Sequence, residues 1–132
     1  MKIVTYQHNE TSNLGLLLND KIYSLSSIAS TMNIFLQMGE DAMGKAKELE
    51  ENITNGHSNS IGISLSDSQL LAPVPSPPSC RDAYAFRQHV ATARRNRGVD
   101  MIPEFDQFPI FYFTNHNAIL GPTDDILCMP DH

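Results

Sequence analysis

Pro73-Val74-Pro75-Ser76-Pro77-Pro78 decides how this 132-residue chain is read. Prolines at this density exclude helix and hold the backbone extended and stiff. The run separates a segment of short strands and helices from a chemically different segment after it. The expected organisation is an N-terminal α+β domain over 1–72, a proline-rich linker over 73–79, and a second domain over 80–132.

On the N-terminal side, residues 2–6 alternate weakly, 8–13 are polar and turn-like, and 14–18 are apolar. Asn19-Asp20 is a turn signal and 21–23 resume a strand, so three short antiparallel strands are expected. Ser26-Ser27 are candidate caps for a helix carrying Ile28, Met32, Phe35 and Leu36, which Gly39 would end. A second helix is read from Ala42, Met43, Ala46, Leu49 and Ile53 at three- and four-residue spacing, with Glu40 and Asp41 at its positive end. Asn55-Gly56 stops it, 57–60 are loop, and 64–71 approach a short strand. The methionines Met32, Met38 and Met43 read as core filling.

On the C-terminal side, a helical pattern runs over 82–97, with Ala83, Phe86, Val90 and Ala93 as the expected buried stripe and Gly98 as its end. Ile110-Phe111-Tyr112-Phe113 is a run of β-formers of the kind found in buried strands. Gly121-Pro122 turns the chain, Asp124-Asp125 is turn chemistry, and 126–129 form another candidate strand.

Hydrophobic residues make up 41% and charged residues 18%, which suits a packed core, and the net charge is −6. An acidic chain with one small basic cluster, Arg94-Arg95-Asn96-Arg97, does not suit nucleic-acid binding, and that cluster reads as a helix C-terminal cap. No stretch approaches the roughly 20 apolar residues of a membrane span, and no signal-peptide pattern is present, so a cytoplasmic protein is expected. Cys80 and Cys128 are then expected as reduced thiols. His8, His57, His116 and His132 show no ligand spacing.

The chemistry concentrates in Asp82-Ala83-Tyr84-Ala85-Phe86-Arg87-Gln88-His89. On a continuous helix, Asp82 and His89 would sit nearly two turns apart on one face, separated by about 10 Å. A carboxylate suits a hard divalent cation, and a neutral imidazole takes a proton from water near neutral pH. Spacing alone is equally compatible with an N-capping aspartate and a solvated helix histidine.

The segment Arg81-Asp82-Ala83-Tyr84-Ala85-Phe86-Arg87-Gln88-His89-Val90 resembles the active-site helix of the fumarylacetoacetate hydrolase family. Leu70-Leu71-Ala72 with the prolines that follow resembles that family's approach to its catalytic domain. The stretch from Phe108-Pro109-Ile110-Phe111 through Asn115-His116-Asn117 to Gly121-Pro122 resembles its strand and Gly-Pro turn. The opening Met1-Lys2-Ile3-Val4-Thr5-Tyr6 with Leu14-Gly15-Leu16-Leu17 is similar to its usual start.

The resemblance implies an α+β protein: a small β-rich N-terminal domain with helices, then an incomplete portion of the family's mixed-β catalytic fold. It implies a Mg2+- or Ca2+-dependent hydrolase of a carbon–carbon bond in a 1,3-dicarbonyl oxo acid, with Asp82 as metal ligand and His89 as general base. Tyr84 would hydrogen-bond the substrate carboxylate or shape the pocket. A basic residue near the helix end would bind substrate, with Arg97 favoured over Arg94 and Arg95. Some relatives decarboxylate, isomerise or hydrate similar acids. The family completes its metal site with a Glu-x-Glu pair and a later Asp, and no Glu-x-Glu follows residue 104 here. The remaining ligands are therefore expected to be missing. The alternative is an inactive short relative acting as a folding, oligomerisation or binding module. Unpaired edges near 110–113 would favour a homodimer.

Overall fold

A computed structural model describes residues 1–125. The chain is mixed α+β, and its contacts divide it into two compact units. The first is Met1–Pro77 with the described residues from Asn117 to Asp125, and the second is Pro78–His116.

The first unit is built on three consecutive antiparallel strands, β1 (Ile3–His8), β2 (Thr11–Leu18) and β3 (Lys21–Ser24). Their hairpin turns put Asn9, Glu10, Asn19 and Asp20 at positive φ, from 48° to 62°. Asn and Asp tolerate that region, and such turns match the twist of the flanking strands. Two very short strands, β4 (Ile63–Ser64) and β5 (Gln69–Leu70), extend the sheet to the order β4-β3-β2-β1-β5.

The pleat sorts side chains to two faces. Leu14 and Leu16 turn to the helices and join Leu25, Ala29, Met32, Phe35, Ala42 and Ala46 in one buried cluster. Tyr6 and Ile22 are buried on the opposite face, where Gly15 lies beneath them. A Cβ at Gly15 would collide with Ile22 Cγ2 and lie 2.9 Å from the Tyr6 ring.

Helix α1 (Met32–Met38) starts later than expected, with Thr31 rather than Ser26 or Ser27 as its cap. The Thr31 hydroxyl accepts from the Ile34 amide at 3.3 Å. Ser26 instead takes part in a local pair with Ser24, 3.0 Å between hydroxyls, while Ile28 and Ala29 donate to the Leu25 carbonyl in a turn. Gly39, at φ 57°, both ends α1 and opens α2 (Glu40–Thr54), and Asn55-Gly56 stops α2 as expected.

The proline-rich stretch is fastened to this unit. Leu71 donates to the Thr5 carbonyl at 3.0 Å, Thr5 Oγ1 donates to the Pro73 carbonyl at 2.8 Å, and Asn33 donates to the Ser76 carbonyl at 2.7 Å. Val74 packs against the core cluster. The returning segment also seats on β5: Gln69 donates to Asp124 at 3.0 Å, and Asp124 accepts the Gly121 amide at 2.6 Å. The candidate strand at 126–129, with Cys128, lies outside the described residues.

The second unit departs from the sequence reading at its start. Residues 82–97 are not one helix. Cys80–Ala83 is a strand, β6, paired antiparallel with β7 (Phe111–Thr114), and helix α3 spans Arg87–Asn96. The β-formers of β7 hold Asp82 in a ladder, and Phe86 remains extended at φ −101° and ψ 105°. Tertiary pairing here overrides local helix periodicity. Of the expected stripe, Val90 is buried, whereas Ala83 and Phe86 are exposed. Gly98, at φ 70°, ends the helix as expected. Strand β7 is not buried: Phe111, Tyr112 and Phe113 are 46%, 58% and 66% exposed. A two-stranded sheet has no further layer to shield both of its faces.

Replacing Gly15 with Ala should destabilise the first unit by about 1–3 kcal/mol through overpacking against Ile22 and Tyr6. Urea unfolding checks this, and an unchanged midpoint would rule out the close approach.

Candidate functional site

The ladder of the second unit places the candidate residues. Asp82 faces Tyr112 across β6 and β7, and the Tyr112 hydroxyl donates to Asp82 Oδ2. The Tyr84 amide donates to the Ile110 carbonyl at 3.0 Å, which continues the pairing past Ala83. Residues two apart on a strand share a face, so Asp82, Tyr84 and Tyr112 belong to one side of the pair. On the other side, the Arg81 guanidinium lies 5.3 Å and 4.9 Å from the ring centres of Phe111 and Phe113. Those two rings meet edge to face at 5.8 Å.

Two residues after Tyr84, α3 begins with Arg87, Gln88 and His89. His89 is exposed in the first turn and borders an open depression lined by Ala85, Phe86, Arg87, Gln88 and Thr92. Its neighbour Val90 is buried and makes a first helical bond, its amide to the Phe86 carbonyl at 3.1 Å. Arg97 lies at the opposite end of α3, as its C-cap, and is exposed. It lies eight residue steps from His89, a rise of about 12 Å. The expected arrangement of Asp82 and His89 two turns apart on one helix face does not occur, since the first is on a strand and the second on a helix. The structure thus groups Asp82 with Tyr84, starts the helix of His89 shortly after them, and leaves Arg97 at its far end.

No model of a known protein family matches the chain, and no curated protein matches it.

Two titratable pairs shape the unit. The hydrogen bond to Asp82, reinforced by its negative charge, holds the Tyr112 phenol above its usual range. Arg87 grips Asp106 with two bonds, Nε to Oδ1 at 3.0 Å and Nη2 to Oδ2 at 3.2 Å. The hydrogen bond from Arg87 holds the Asp106 carboxyl below the usual carboxylate range, and the guanidinium of Arg87 is raised in turn. Because the folded value for Asp106 is depressed, this contribution is present above about pH 4 and fades as pH falls through the lowered value.

A hard divalent cation takes six or more oxygen ligands. Asp82 offers one carboxylate, already accepting from Tyr112, and no group of three or more His, Cys, Asp or Glu side chains is arranged to hold a metal ion among the described residues. These residues do not by themselves make a Mg2+ or Ca2+ site.

Sequence reasoning missed Tyr112 and Asp106. A tyrosine in an otherwise apolar run is a signal that one end needs a polar partner. Nothing local marks Asp106, whose role depends on a contact 19 residues away.

Asp82→Asn should return the Tyr112 phenol toward its usual value near 10. The phenol is raised in the folded chain, so its contribution is complete below about pH 10 and is lost as pH rises through the raised value. Residue-resolved NMR of the tyrosine rings against pH checks this; an unmoved Tyr112 would refute the assigned cause.

Proposed function

We propose that the chain is a fumarylacetoacetate hydrolase-like protein whose second unit carries part of a site for cleaving a carbon–carbon bond in a 1,3-dicarbonyl oxo acid. What supports this reading is the strand register that gathers Asp82, Tyr84 and Tyr112 on one face, directly ahead of the helix that opens with Arg87-Gln88-His89. His89 is the base that takes a proton from water attacking the terminal carbonyl. The carbon–carbon bond then breaks with its electron pair on the oxo-acid fragment. The attacked carbonyl leaves as a carboxylic acid, and the enolate takes back the proton that His89 removed from water. Asp82 would offer one carboxylate to a Mg2+ or Ca2+ ion, and Tyr84 meets the substrate carboxylate, with Arg97 too far along α3 to share that role. The ligand set that this chemistry requires is not completed among the described residues.

The test is an amide NMR titration of the chain with 2,4-dioxopentanoate and Mg2+ at millimolar concentration. Shifts should converge on Asp82, Tyr84, Tyr112 and Gln88–Val90 and vanish in Asp82→Asn. Shifts elsewhere, or none, would overturn the reading.

A second reading, a non-catalytic association module, is favoured by the exposure of Phe111, Tyr112 and Phe113 on a sheet of only two strands. An apolar strand with a free edge promotes pairing between chains. That reading expects a homodimer in sedimentation at micromolar protein, shifted toward monomer by Phe113→Lys. A monomer throughout would count against it.

A further inference from the structure

Helix α3 begins with three electrostatic handicaps. Its cap residue, Phe86, makes no side-chain capping bond, and no acidic residue stands in its first turn. Its first residue, Arg87, is a cation where the helix dipole is positive. A first turn of this kind frays, and the first turn is where His89 sits.

The missing negative charge comes from elsewhere in the unit. Asp106 ends the 3₁₀ turn Pro103–Asp106, which opens with a proline and is closed by the Gln107 and Phe108 amides, both donating to the Glu104 carbonyl. From that anchored turn the Asp106 carboxylate accepts the two parallel bonds of the Arg87 fork. A single bond to a lysine-like point charge would leave the cation free to swivel, whereas a planar fork on a planar carboxylate fixes its orientation. The pair brings a carboxylate to the helix start and cancels the unfavourable cation there.

We infer that Asp106 is a positioning residue for His89, acting through Arg87 to hold the first turn of α3. This rests on the role given to His89 above. The route is through the backbone: two residues of helix turn the chain by about 200°, so His89 projects away from the side on which Arg87 meets Asp106. The pair is exposed, with side chains 59% and 57% accessible, so its effect is local order and not overall stability.

The test uses the full chain without metal or substrate, comparing Asp106→Asn, Asp106→Glu and Arg87→Lys by NMR. In Asp106→Asn, amide exchange at Val90 should rise about two- to fivefold, the range an exposed pair supports. The His89 ring resonances should move at fixed pH, while exchange in Met1–Pro77 stays constant. Asp106→Glu should restore the His89 signals, and Arg87→Lys, which keeps the charge but loses the fork, should not. Salt at about 1 M, where screening acts within about 3 Å, should mimic Asp106→Asn. Unchanged His89 resonances in Asp106→Asn would overturn the inference, even if Val90 exchange rises, because the pair would then support the helix without placing the imidazole. No dioxo acid enters this experiment, so failure of the binding titration and failure here are separate results.

Discussion

The pairing of Asp82 with Tyr112 across β6 and β7 is the contact on which the second unit depends. It closes a loop of 30 residues, with an entropic cost that no local signal reveals. Once it forms, Asp82 cannot be a helix residue, because its backbone belongs to a ladder. The same pairing brings Tyr84 to the side of Asp82 and sends Arg81 to the other, over Phe111 and Phe113. Helix α3 can start only after the strand has ended, which sets where Arg87 and His89 lie.

The first unit has the opposite character, since its contacts are largely between neighbours in sequence. Two tight turns with residues at positive φ fold β1, β2 and β3 into a meander, and one face of it meets α1 and α2. Strand β1 is then the strand that reaches furthest along the chain: it pairs with β5, and Thr5 holds the first proline of the rich stretch. The prolines follow this route without conflict because an extended segment with few amide donors is anchored well by its carbonyls. Thr5 and Asn33 use two of those carbonyls.

The candidate site combines these two kinds of information unequally. Asp82, Tyr84 and His89 stand out in sequence because a carboxylate, a phenol and an imidazole fall within eight residues of one another. Their arrangement is not legible there, since apolar spacing over 82–97 fits a helix as well as it fits a strand followed by a shorter helix. Val90 alone of the expected stripe is buried, and the periodicity that included Ala83 and Phe86 had no face to bury them. Asp106 acts through a partner 19 residues away and has no local trace, whereas the phenol of Tyr112 in an apolar run signals a polar partner without showing that it lies 30 residues away.

The sequence by itself determined the elements whose signals are local. Asn19-Asp20 makes a hairpin turn, Gly39 and Gly98 end helices, and Ala42 and Ala46 face the core, because backbone conformational limits and a single stripe of small apolar residues suffice for each. Only the tertiary structure decided that Asp82 is a strand residue, that β7 is exposed, that the prolines run along the first unit as far as Pro77, and that Asp106 supplies the charge that the start of α3 lacks. Each of these depends on which distant segment arrives as a neighbour. Pairing energy between segments far apart in the chain outweighs local preferences that differ by less than about 1 kcal/mol per residue.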